Sequence, residues 1–161
     1  DLSWQRLKDE YNDILVKNLG NLVARVLKLA ENCYSGNSGF EFKTFADEVW
    51  QNYKQNMEDI KIAEAIDEVL RIVNFANKYI DEEKPWEESC VNAGKVLFNL
   101  LVFLGYVALM LKPFMSEKSE EILAQLGIEG GENLDFQNRE LLEKINFHPK
   151  KKGILFPRIE Q

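Results

Sequence analysis

Histidine, cysteine, proline and glycine are all scarce in this 161-residue sequence. His148 is the only histidine, so neither a histidine pair nor a histidine-based metal cluster can form. The two cysteines, Cys33 and Cys90, lie far apart without C-x-x-C spacing, which excludes a zinc knuckle made by them alone. We expect them to be buried, reduced thiols of a cytoplasmic protein. Only four prolines and nine glycines occur, which favours a helix-rich fold.

The signatures of common catalytic sites are also missing. The sequence contains no G-x-S-x-G elbow, no H-E-x-x-H pair and no G-x-x-x-x-G-K-[ST] phosphate loop. Acidic pairs such as Glu82 and Glu83 fall where a helix should end in solvent, and they give no sign of acid–base chemistry. We therefore expect no catalytic residue, no metal site and no cofactor on this chain.

A broad basic face is absent as well. The sequence has 20 lysines and arginines against 27 aspartates and glutamates, a net charge of −7. A generic nucleic-acid binder normally carries a basic surface, so DNA is not an expected partner. Any polyanion would have to be met by a local basic strip. With 45% apolar and 29% charged residues, the composition is that of one globular domain spanning residues 1–161.

Apolar residues recur at helical spacing along most of the chain. They predict an all-α bundle of about five helices over residues 3–126, and then a short C-terminal helix and an irregular tail over 132–161. The predicted helices span about 3–33, 42–58, 59–80, 87–111 and 117–126, with Ser116 and Gly127 as caps of the last one. The third should bury an apolar face from Ile62 to Ile80. The fourth, apolar nearly all round from Val96 to Leu111, should be the central helix. This run is too short to cross a membrane.

The stretch from Asn74 to Trp86 reads N-F-A-N-K-Y-I-D-E-E-K-P-W. Because a helix usually ends at or before the residue that precedes a proline, Pro85 should stiffen a turn and present Trp86 just beyond the helix. A tryptophan on such a corner is either a packing wedge or a flat platform for a partner. Position alone favours the wedge, since large aromatic side chains are mostly buried.

One face of the first predicted helix is polar. Gly20 interrupts this helix at a cost of about 1 kcal/mol relative to alanine. Either the glycine is merely tolerated on a solvated face, or it lets a partner approach the backbone closely. The solvated face is the plainer interpretation. The polar strip consists of Asn18, Asn21, Arg25, Lys28 and Asn32.

Four segments resemble, in the same order, a known family. They are L-G-N-L-V-A-R at 19–25, F-A-N-K-Y-I-D-E-E-K-P-W at 75–86, L-K-P-F-M at 111–115 and L-F-P-R-I-E at 155–160. Together they resemble the C-terminal anticodon-binding domain of the methionyl-tRNA synthetases over nearly the whole chain. Sister class I synthetases for isoleucine, valine, leucine and cysteine share the bundle type. The P-W corner and the tail favour the methionine branch.

The resemblance implies an RNA-binding site. In that family an asparagine and an arginine, four residues apart on the first long helix, recognise the first base of the C-A-U anticodon, and a tryptophan stacks on that base. By motif these are Asn21, Arg25 and Trp86. Single-stranded RNA loops are read in this way, by stacking on aromatic faces and by hydrogen bonds to base edges. The resemblance adds supporting residues: Gly20 for close approach, Pro85 to preorganise the tryptophan, and Lys28, Lys78 and Lys84 near phosphates.

The catalytic half of that family has no counterpart here, because its nucleotide-binding motifs and zinc cysteines are missing. The resemblance therefore implies that ATP with Mg²⁺ and the methionine chemistry belong to another domain of a parent methionine–tRNA ligase. This chain alone should be inactive. Its expected partners are methionine tRNA and that catalytic domain, against which the tail from Phe147 to Glu160 should pack. The alternative from another class is a helical protein-interaction module without an RNA role.

Overall fold

In the computed structural model, residues 9, 11–87, 89–128, 139–144 and 146–150 are described, and these contain no strand. The predicted all-α bundle is confirmed. A π-helical segment leads directly into the first α-helix, and four further α-helices and one 3₁₀ helix follow. The elements are the π-helical segment (Tyr11–Gly20), α1 (Asn21–Cys33), α2 (Lys43–Glu58), α3 (Ile62–Glu83), α4 (Cys90–Leu111), α5 (Ser116–Leu126) and the 3₁₀ helix (Arg139–Glu143).

Helix α4 lies at the centre of the bundle, as its sequence predicts. It packs against α1, α3, α5 and the 3₁₀ helix, and every residue from Val96 to Leu111 is buried. By length and composition α4 could cross a membrane, yet 94% of its most apolar window is covered by the rest of the bundle. A helix that is apolar all round needs neighbours on every side, which explains why the others surround it.

Helices α2, α3 and α4 meet in a cluster of aromatic rings. Phe45 stacks on Phe75 with 4.5 Å between ring centroids, and Phe103 of α4 lies 5.4 Å from Phe75 in an edge-to-face arrangement. The buried Tyr53 hydroxyl donates a hydrogen bond to the Met110 carbonyl oxygen at 2.7 Å, which attaches α2 to α4. These contacts join α2, α3 and α4 through Phe75 and Tyr53.

Three details of the helix predictions were wrong. Helix α3 begins at Ile62 and ends at Glu83, later at both ends than the predicted 59–80, so the acidic run forms its last turn. Ile62 is 40% exposed and is not part of the core, because it lies next to the turn that connects α2 and α3. Ser116 is the first residue inside α5, and Met115 takes the N-cap position. The glycine cap is confirmed, since Gly127 adopts a left-handed conformation with φ of 67°.

Two expectations about the C-terminal part and the cysteines are corrected. Phe147 is buried in this bundle, 6.4 Å from Tyr34 and 6.0 Å from Phe98 between ring centroids, so it does not await another domain. Cys33 is disulfide-bonded and is not a reduced thiol, because spacing in the sequence does not report distance in space. The rest of the predicted tail, 151–161, lies outside the described residues.

Candidate functional site

A tight turn at the end of α3 turns the Trp86 side chain outwards. Lys84 ends the helix in a left-handed conformation with φ of 46°, and its N–H still donates to the Ile80 carbonyl at 3.1 Å. The Glu87 N–H then donates to the Lys84 carbonyl at 2.9 Å and closes the turn. Pro85 is buried against the bundle, whereas Trp86 is 47% exposed. The proline is therefore the wedge, and the tryptophan is not.

Arg25 of α1 lies across from this turn. Its guanidinium carbon is 5.5 Å from the centroid of the Trp86 ring, within the range of a cation–π contact. Its Nη2 donates to Asp81 Oδ1 at 2.9 Å. Two residues that the sequence places 61 positions apart are thus brought together, as the motif comparison predicts. We call Arg25, Asp81 and Trp86 the exposed trio.

Asn21 occupies the same face of α1, one helical turn before Arg25, and it is exposed. Gly20 lies at the junction between the π-helical segment and α1. Its φ of −58° and ψ of −45° are ordinary right-handed helix values, so its own backbone conformation does not require a glycine. A role in close approach to a partner remains a prediction.

The three predicted phosphate neighbours are exposed but differently placed. Lys28 follows Arg25 by one turn of α1, and Lys84 sits in the turn before Trp86. The ammonium of Lys78 lies 3.8 Å from a carboxylate oxygen of Glu82, so part of its charge is already compensated. These three lysines form only a narrow basic strip, because the acidic residues 81–83 of α3 lie between Lys78 and Lys84.

Sequence reasoning missed Asp81. The acidic run 81–83 had no assigned role, yet the Asp81 carboxylate is the group that holds the Arg25 guanidinium beside the indole. The available signal was its position one turn and a half before Trp86, on the helix that delivers the tryptophan. Exposed ion pairs contribute little to stability, about 0–1 kcal/mol, so this contact orients the arginine more than it stabilises the fold.

The chemistry available at this site is that of binding. An indole face, a guanidinium with five N–H donors and the Asn21 amide, which both donates and accepts, suit a flat heteroaromatic ligand with a polar edge. Within the described part of the chain, no group of three or more His, Cys, Asp or Glu residues could hold a metal ion.

Curated relatives of this chain are methionine–tRNA ligases. The chain is 32% identical to that of Methanopyrus kandleri over 153 residues, which is 90% of this chain and 23% of the relative. It is 32% identical to that of Caldanaerobacter subterraneus over 174 residues, or 97% of this chain and 27% of the relative. The chain thus spans about a quarter of the length of the relatives it matches. No family model matches.

Solved structures agree on the fold. The apo form of Mycobacterium tuberculosis methionyl-tRNA synthetase superposes with a TM-score of 0.67 at 19% identity, over 98% of this chain and 35% of that one. The same enzyme with methionyl-adenylate gives the same score over 96% of this chain. At this identity the structural similarity supports the fold alone. The family is supported by the sequence relatives. This chain is a domain of the methionine–tRNA ligase family.

Proposed function

We propose that this domain binds the anticodon loop of methionine tRNA and reads its first base with Asn21, Arg25 and Trp86. The observation that carries the proposal is the contact between the Arg25 guanidinium and the half-exposed Trp86 indole, 5.5 Å apart on the surface of the bundle. Tryptophan side chains are highly buried on average, whereas this one is 47% exposed. The buried Pro85 and Lys84, whose backbone is left-handed, position the Trp86 side chain.

The three side chains match the needs of a splayed cytosine. The base would stack on the indole, a contact that contributes about 1–3 kcal/mol per base. Arg25 would donate to the acceptor edge of the base, and the Asn21 amide would supply a donor and an acceptor. Lys28, Lys78 and Lys84 would lie near the phosphates. Since an indole has two faces, a base can stack on it while a guanidinium lies beside the other.

The remaining three quarters of the full-length protein would carry the catalysis. In this proposal the present chain is the non-catalytic C-terminal domain, and ATP with Mg²⁺, methionine and acyl transfer belong to the part outside it. The domain positions the tRNA, whose acceptor end is charged elsewhere. A cytoplasmic location follows from this role alone, because the disulfide at Cys33 removes the argument from reduced thiols.

The test is binding of two RNA stem-loops, one with the anticodon C-A-U and one with the first base changed to U. We expect the C-A-U loop to bind more tightly, and Arg25→Lys to reduce that preference because lysine lacks the planar fork of donors. Arg71→Lys is a matched control, since Arg71 is 39% exposed against 40% for Arg25 and is likewise held by carboxylates.

Two outcomes would favour an alternative. Equal affinity for both loops, or no binding of either, would leave a protein-interaction module as the better interpretation. A response to isoleucine, valine, leucine or cysteine tRNA but not to methionine tRNA would favour a sister synthetase. Binding should also weaken with added salt, since phosphate contacts release counterions.

A further inference from the structure

Asn99 is the one amide side chain in the buried stretch of α4 from Val96 to Leu111, and its exposed fraction is 0%. Its Nδ2 donates a hydrogen bond to the Tyr79 hydroxyl at 3.0 Å, and its Oδ1 accepts one from the Glu41 N–H at 3.1 Å. The amide therefore joins α4 to α3 and to the segment that precedes α2. None of these residues belongs to the exposed trio.

The stability of the core does not call for this pair of polar groups. The amide and the hydroxyl both lose hydration, and replacing two such partners by apolar groups of the same shape is close to neutral or even stabilising. The Tyr79 ring already packs among apolar neighbours, with its centroid 5.0 Å from that of Phe42 and 6.4 Å from that of Phe75. The hydrogen bond adds direction, because apolar packing alone is non-directional.

Tyr79 lies on the side of α3 opposite to the one that contacts the π-helical segment and α1. On that other side, Asn77 Nδ2 donates to the Asn18 carbonyl at 3.4 Å, and Asp81 pairs with Arg25 at 2.9 Å. Asn77 and Asp81 are each two residues from Tyr79, and two residues along an α-helix correspond to a rotation of about 200°. The last turns of α3 are thus held by polar contacts on one side and by the amide of α4 on the other.

We infer that Asn99 is a positioning residue for the anticodon site. Through the Tyr79 hydroxyl it fixes the rotation of the last turns of α3, and with it the place of Trp86 relative to Arg25. The inference rests on the proposed function. Side chains on a helix lie about 5–6 Å from its axis, so a rotation of about 10° moves them by about 1 Å. A binding site needs its groups within about 0.5 Å of the productive geometry, so loss of this hydrogen bond should affect base reading more than folding.

The chain offers a matched control for Tyr79→Phe. The Tyr53 hydroxyl also bonds to α4, donating to the Met110 carbonyl at 2.7 Å, but Tyr53 belongs to α2 and not to the helix that ends at the Trp86 corner. Tyr79→Phe and Tyr53→Phe therefore each remove one hydroxyl and its hydrogen bond to α4. Asn99→Leu removes the α4 partner instead and keeps a side chain of similar shape.

The experiment titrates each variant with the C-A-U stem-loop and with the stem-loop whose first base is U, at constant salt. The readout is the ratio of the two dissociation constants, which a loss of folded protein does not change. We expect Tyr79→Phe and Asn99→Leu to lower the preference for C-A-U by about threefold or more, the scale of one hydrogen bond, and Tyr53→Phe to leave it unchanged. An unchanged ratio in Tyr79→Phe, or an equal loss in Tyr53→Phe, would overturn the inference. If Asn99→Leu does not fold, Tyr79→Phe decides.

A measurement without RNA separates this inference from the proposed function. In the chain labelled with ¹⁵N at its indole nitrogens, the Trp86 Nε1–H signal is assigned by its loss in Trp86→Phe. We expect Tyr79→Phe to shift this signal and to lower its NMR order parameter, and Tyr53→Phe to change neither. If the unsubstituted chain does not distinguish the two stem-loops, the proposed function fails, whereas a Trp86 signal that Tyr79→Phe leaves unchanged contradicts the inference.

Discussion

The described residues include two trios of arginine, tryptophan and aspartate with nearly the same geometry. In the exposed trio, Arg25 lies 5.5 Å from the Trp86 ring and 2.9 Å from Asp81. In the second, which we call the buried trio, Arg139 lies 5.2 Å from the Trp50 ring and 3.0 Å from Asp47. The same chemistry therefore occurs twice on one chain.

Burial separates the two trios. Trp86 is 47% exposed whereas Trp50 is 3% exposed, and the Arg25 side chain is 40% exposed against 10% for Arg139. Arg139 also donates to the Tyr106 hydroxyl at 2.9 Å and so joins the 3₁₀ helix to α2 and α4. In the buried trio every group already has its partner inside the fold. The exposed trio presents an open aromatic face and unused donors, so the same residue types can serve stability in one place and binding in the other.

Replacing the two tryptophans should separate stability from binding most strongly. Trp50→Ala should lower the free energy of unfolding by about 3–5 kcal/mol, because it empties a core site. Trp86→Ala should lower it much less and should instead weaken binding of a C-A-U stem-loop by about 1–3 kcal/mol. Chemical denaturation and RNA titration measure the two effects. A large stability loss in Trp86→Ala with unchanged RNA binding would make it a packing residue after all.

Replacing the two arginines should also cost more stability in the buried trio than in the exposed trio, by a smaller amount than for the tryptophans. Arg139→Ala should cost about 2 kcal/mol of unfolding free energy, below the 3–5 kcal/mol of a fully buried pair because Asp47 is partly exposed. Arg25→Ala should cost less than about 1 kcal/mol, as expected of an exposed ion pair. Urea denaturation of both variants checks this. Equal losses would mean that burial does not distinguish the trios.

Alkaline pH should lower the free energy of unfolding in part through Tyr106, which contacts the buried trio. Burial raises the pKa of Tyr106 to about 12, although the Arg139 charge acts in the opposite direction. Below pH 10 the phenol is neutral in both states and its contribution is fully present. Above pH 10 the unfolded state loses its proton first, so Tyr106 lowers the unfolding free energy by about 1.4 kcal/mol per pH unit until the pH passes its folded pKa.

Denaturation between pH 9 and pH 12 tests this prediction. Tyr106→Phe should flatten the slope, and Trp86→Ala should leave it unchanged because the exposed trio has no phenol. Burial also raises the pKa values of Tyr34, Tyr53 and Tyr79, which add to the fall in the same direction and persist in both variants. A slope that Tyr106→Phe leaves intact would refute the assignment.

Removing the carboxylate that pairs with Arg25 should give the smallest change, and this change is in RNA affinity. Asp81→Asn removes the charge that holds the guanidinium and should tighten RNA binding by about 0.3–1 kcal/mol, the scale of one exposed ion pair. Glu82→Gln makes the same change in net charge one residue away, where the carboxylate faces Lys78. If both variants change the affinity equally, only the overall charge matters. Titration of the C-A-U stem-loop at constant salt is the measurement.

Much of the fold could be predicted because it depends on local pattern. The apolar run from Val96 to Leu111 can be satisfied only at the centre of a bundle, and Gly127 supplies the left-handed cap that ends α5. Helix boundaries were less secure. The acidic run stays helical to Glu83, and Ile62 faces solvent, because position in the bundle decides burial and helical periodicity does not.

The resemblance predicted that Arg25 and Trp86 lie close together, and it did not predict the contact with Asp81. The sequence by itself determined the residue types: a proline that fixes a corner, a tryptophan after it, and an asparagine and an arginine one turn apart on a polar helix face. Only the tertiary structure decided that Asp81 holds Arg25 and that Pro85, not Trp86, is the wedge. It also decided that Cys33 is disulfide-bonded and that the tryptophan and arginine of the trio around Arg139 are buried. Contacts between distant segments depend on how helices pack, and sequence spacing does not record that.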